Sequence, residues 1–85
     1  MSQHTPNELT EIFRRDRDLL TRLKVDDRHF ANLAERYHEI NRTLHRNEAE
    51  IEALSDAHAE ELKKQRLAML DEITALLQRA KGEVG

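Results

Sequence analysis

Apolar residues over the first two thirds of the chain keep heptad time. One column runs Leu9, Asp16, Leu23, Phe30, Tyr37, Leu44, Ile51. A second, three residues behind, runs Ile12, Leu19, Asp26, Leu33, Ile40, Asn47, Leu54, and eleven of the fourteen positions are apolar. A repeat sustained this long predicts an amphipathic helix that packs as coiled coils do. Phe13, Leu20 and Ala34 sit beside the seam and widen it toward a bundle face. The phase breaks after Leu54, where new columns begin: Leu62, Met69, Leu76 in one and Ala59, Ile73, Ala80 in the other, with Arg66 interrupting the second. Leu70 and Leu77 broaden that face. Between the two patterns, Glu48 to Glu61 holds six acids and no Lys or Arg, with Ser55 and Asp56 as N-cap candidates, so the chain is expected to turn between Asn47 and Asp56.

The strong breakers lie at the ends. Pro6 is the only proline and Gly82 and Gly85 the only glycines, which leaves 75 residues between Pro6 and Gly82 without either. Ala, Leu, Glu, Arg, Lys and Gln fill most of that interior. The expected fold is therefore all-α, an antiparallel, coiled-coil-like helical hairpin in a single domain over 1–85. Thr5 as N-cap, Pro6 in the first turn and Glu8 closing a capping box start the first helix, which runs over 6–48 after a disordered start at 1–5. The turn falls at 49–55, the second helix at 56–81, and a disordered end at 82–85. Val25-Asp26-Asp27 is the weak point, since either aspartate can cap a new helix beginning at Arg28. The heptad phase passes through it unshifted, which favours continuity or a mild kink over a fold-back.

Reach then becomes an argument. A second helix over 56–81 is about 38 Å long and covers the first arm back to about Phe30. Leu9, Ile12, Phe13, Leu19, Leu20 and Leu23 are left uncovered, although each gains about 1.5 to 3 kcal/mol on full burial. Either this segment folds back as a third helix or another subunit covers it. The second answer is favoured: an oligomeric bundle, most simply a homodimer with two-fold contacts, with these six residues as the partner-binding set.

Composition narrows the function classes. The chain has 85 residues, 36% charged and 4% aromatic, with no cysteine and a net charge of -3. One so short buries only about 60 to 65% of its unfolded surface, so a deep active site is not expected within one subunit, and neither is an enzyme or a small-molecule substrate. Without cysteine there are no disulfides, thiolate nucleophiles or Cys-based zinc sites. The start has no signal-peptide pattern and no stretch is apolar enough to span a bilayer, which reads as a soluble, cytoplasmic protein.

Candidate chemistry is sparse. Of five histidines, His38 and His45 lie seven apart, about 10 Å along a helix, too far for one ion, while His58 with Glu61 supplies two ligands at most; no metal or cofactor is expected. Asp16, Asp26 and Asn47 on the seam read as register markers rather than acid–base groups, and Asp71-Glu72 lacks a cleft. No interior glycine exists to cradle phosphate. A membrane-surface role for 9–23 is opposed by Glu8, Glu11, Asp16 and Asp18. Arg14, Arg15, Arg17 and Arg22 are the nucleic-acid candidates, though aspartates interleave them and no aromatic platform accompanies them. Glu60 with Lys64, Glu11 with Arg15 and Asp18 with Arg22 are spaced for i,i+4 pairs on solvated helix faces.

Asp18-Leu19-Leu20-Thr21-Arg22-Leu23-Lys24, Phe30, Tyr37-His38-Glu39-Ile40 and above all Leu62-Lys63-Lys64-Gln65-Arg66-Leu67-Ala68-Met69-Leu70-Asp71-Glu72-Ile73 resemble the YdcH family of small bacterial proteins, over about Asp16 to Arg79. The resemblance implies a helical hairpin of unknown function, related to segments found beside motor domains in larger proteins, with no catalytic or cofactor residue to carry over. Two departures stand out: Leu70 replaces a common lysine, and the turn Ala49 to Asp56 has no glycine. Residues before Asp16 look like an extension. The expected function is protein–protein interaction, with self or another protein, through helical association; a small DNA-associated dimer using the four arginines is the alternative.

Overall fold

The structure, a computed structural model, describes residues 8–49 and 53–84. It is helical throughout: α1 (Leu9–Ile12), a 3-10 turn (Arg14–Asp16), α2 (Arg17–Asp26), α3 (Arg28–Glu48) and α4 (Asp56–Val84). The proposed cap at Thr5, the helix start at Pro6, the seam position Ile51 and the last glycine lie outside the described residues.

The α3–α4 pair is the antiparallel hairpin. Asn47 Oδ1 accepts from the Leu54 backbone N–H at 3.2 Å and closes the turn end. Ser55 caps α4, its Oγ accepting from the His58 N–H at 3.1 Å. Arg66 donates to Asn41 Oδ1 at 3.0 Å midway, and His29 Nε2 lies 2.7 Å from Glu72 Oε2 near the far end. At 1.5 Å per residue α3 is about 31 Å long and α4 about 43 Å, so α4 runs past the start of α3. It continues to Val84, through Gly82 and beyond the expected end at Lys81.

The first arm is not one helix over 6–48. Glu8 is extended (φ -66°, ψ 148°), α1 ends after one turn at Phe13 (φ -112°, ψ 55°), and Asp27 (φ -125°, ψ 106°) separates α2 from α3. Asp27 serves both helices. Its N–H donates to Leu23 O at 2.9 Å, ending α2, and its Oδ1 accepts from the Phe30 N–H at 3.2 Å, starting α3 at Arg28. The break is a reversal rather than a kink. A straight helix would hold Glu8 and His38 about 45 Å apart; Glu8 Oε2 is 2.7 Å from His38 Nδ1. Lys81 Nζ likewise reaches Asp16 Oδ2 at 2.9 Å, tying the overhang of α4 to the start of α2.

One core results from the three layers: Leu9 and Leu20 from the returning segment, Phe30, Leu33, Ala34 and Tyr37 from α3, Met69, Ile73 and Leu77 from α4. Phe13, Leu19, Leu23, Ile40, Leu70 and Leu76 pack against it half-buried. Leu70, the departure from the resembling family, thus does widen the buried face. The flank that seemed to need a second subunit is sheltered by its own chain, with Leu9 at 0% and Leu20 at 1% exposure, so the reach argument for a homodimer loses its premise. The physical reason is balance: one residue out of helical geometry admits burial worth about 1.5 to 3 kcal/mol for each large apolar side chain.

Candidate interaction surface

Of the six residues expected to bind a partner, Leu9 and Leu20 are core, and Phe13, Leu19 and Leu23 are half-buried against it. Ile12 differs, at 41% exposure. It is the last residue of α1 and its side chain borders a groove of about 240 Å³ lined also by Tyr37, Lys63, Arg66, Leu67 and Leu70. Leu67, on the solvent side of α4, is 60% exposed. Ile12 and Leu67 therefore place large apolar side chains in water on two elements that meet at one groove, whereas single exposed apolar residues need no explanation.

Arg66, on the rim of the groove, is anchored from beneath. Asn41, fully buried on α3, accepts from Arg66 on α4, so the residue that interrupts the apolar column of the second arm meets a polar partner on the first. Burial pushes the Tyr37 phenol above its ordinary value; the Arg66 cation opposes this and the Glu8 carboxylate adds to it. Lys63 lies 3.6 Å from Glu60, so Glu60 pairs at i,i+3 and not with Lys64 as its spacing had suggested. Among the described residues, the side chains of Lys64 and Asp71 make no ion pair or hydrogen bond.

The seam markers resolve differently from one another. Asn47 closes the turn, Asp16 holds Lys81, and Asp26 is exposed. Asn41 with Arg66 is the buried polar pair across the hairpin, and sequence reasoning missed it. The signal was present: Arg66 broke an apolar column, and a facing polar residue was the thing to look for.

Other candidate groups are scattered. Arg14, Arg15, Arg17 and Arg22 are all exposed. His29 and His38 are engaged with Glu72 and Glu8, and among the described residues no group of three His, Cys, Asp or Glu side chains could hold a metal. No described helix is long and apolar enough to cross a membrane.

Comparison with known proteins adds one finding. No curated protein and no solved structure matches the chain. Residues 30–77, which are 48 of the 85 and span the hairpin from Phe30 to Leu77, match the family described as Protein of unknown function (DUF465). The returning layer of α1 and α2 and the overhang of α4 fall outside that match. With more than half of its length matched, the chain belongs to this family of proteins of unknown function.

Proposed function

We propose that the protein is a small non-enzymatic interaction module of the cytoplasm that engages another protein chain by helix packing. The observation that carries this reading is the pairing of Ile12 and Leu67 in one groove edged by Lys63 and Arg66, an apolar centre with a charged rim. The resemblance to the YdcH family supports a hairpin of this kind without adding a chemistry. Affinity capture from the source cell with the wild type, Ile12→Glu and Leu67→Glu tests it. Both side chains are exposed, so the variants keep the fold, and a protein retained by the wild type and lost by both is the expected result. Identical capture by all three refutes the surface.

A second reading rests on the arginines. Asp16, which interleaves them in sequence, is half-buried and paired with Lys81, while Arg14, Arg15 and Arg17 are exposed. A DNA-associated role then requires affinity for duplex DNA that falls steeply with salt. Absence of binding at low salt eliminates it.

A further inference from the structure

The solvent face of α4 is self-complementary, and we infer that a second copy of this chain docks on it antiparallel, about a two-fold axis crossing α4 between Leu67 and Ala68. The inference rests on the interaction reading above and names its partner. At 100° per residue, the helix face centred between Leu67 and Ala68 carries Glu60, Lys64, Asp71 and Ala75 along its midline, and every one of these six side chains is exposed. The core residues Met69, Ile73 and Leu77 lie on the opposite side of the same helix.

A two-fold operation at that point sets Lys64 opposite Asp71 of the second copy, and Asp71 opposite its Lys64. These two groups are left without an ion-pair partner among the described residues, while neighbouring Lys63 and Glu72 are engaged with Glu60 and His29. The same operation sets Leu67, at 60% exposure, beside its own copy on one side of the midline and Ala68 beside its own copy on the other, with Ile12 at the edge of the apolar centre on the Leu67 side. A parallel arrangement would instead oppose Lys64 to Lys64 and Asp71 to Asp71. Charge complementarity thus selects both the partner and its direction.

Charge exchange tests this. Sedimentation equilibrium of the full chain over rising concentration is expected to show the mass climbing from 10.0 kDa toward a dimer. Lys64→Glu and Asp71→Lys each place like charges across the axis twice and weaken association about tenfold or more, and the double variant restores it. Because the chain has no cysteine, Ala68→Cys forms a disulfide-linked dimer under mild oxidation. Ala57→Cys does not, because its two copies are about 30 Å apart in the antiparallel pair. A mass of 10.0 kDa at every concentration overturns the inference, as does association indifferent to both charge reversals or a cross-link through Ala57→Cys. A monomer that still loses a captured protein on Leu67→Glu sinks the second copy alone; a monomer with unchanged capture sinks the interaction reading as well.

Discussion

Replacing Leu20 with alanine weighs the docking of α2 on the hairpin. Leu20 is 1% exposed and belongs to the cluster containing Phe30, Ile73 and Leu77. Its truncation removes the transfer free energy of the lost carbons and leaves a cavity, which together cost about 2 to 5 kcal/mol at a fully buried leucine. α2 has ten residues and lies at the edge of a small protein, so part of the cavity can close. The lower half of that range, about 2 to 3 kcal/mol, is expected. Against a total stability of about 4 to 13 kcal/mol for a chain of this length, that is a large fraction, and it lowers Tm by about 10 to 20 °C. Val25 on the same helix is 80% exposed and provides the control, since Val25→Ala leaves no cavity and removes a β-branched side chain. Its effect should stay within about 0.5 kcal/mol. Urea unfolding followed by circular dichroism separates the two: the midpoint falls for Leu20→Ala alone, with an unchanged slope. Equal midpoints for both variants would mean that α2 does not rest on the hairpin, and the case for a second subunit over Leu9 to Leu23 would regain its ground.

Asp27→Ala removes the cap of α3 and lowers stability by about 1 kcal/mol, with Asp27→Asn keeping most of it, as read by the same unfolding curves. His38→Ala releases the Glu8 anchor of α1; the amides of Ile12 and Phe13, bonded to Glu8 O and Leu9 O, should exchange faster while those in mid-α3 do not, and equal protection in the wild type and the variant argues against the anchor. Tyr37 is the only tyrosine, so phenolate absorbance reports it alone, and it should titrate above its ordinary value of 10.0. A folded-state value above the unfolded one means that stability holds below the unfolded value and is lost as pH rises through the folded one. Arg66→Ala removes a cation that favours the phenolate, so the titration moves further up; a downward shift would contradict the placement of Arg66.

Local chemistry in the chain was enough to foresee its all-helical class, two of its cap candidates and the hairpin of α3 and α4, but not the division of the first arm. Asp27 and Ser55 have short oxygen-bearing side chains before helix-forming runs, and they cap α3 and α4 because that preference acts over three residues, whatever the surrounding fold. Phe30, Tyr37 and Leu44 of one column in the first arm, and Met69, Ala59 and Ile73 from the two columns of the second with Leu77 beside them, are buried because a period near 3.6 marks one face of a helix wherever it packs. Direction was a different matter. Heptad phase runs unbroken through Asp27 whether the chain continues or reverses there, so the pattern is blind to the fold-back that shelters Leu9 and Leu20. The break at Phe13 has no glycine or proline to announce it. The groove at Ile12 and Leu67 depends on which side of the hairpin the returning segment crosses. Those features come from long-range contacts such as Glu8 with His38 and Lys81 with Asp16, which join residues 30 and 65 positions apart. A periodic pattern records which side of each helix is apolar; where the helices lie relative to one another is settled by the burial they achieve together.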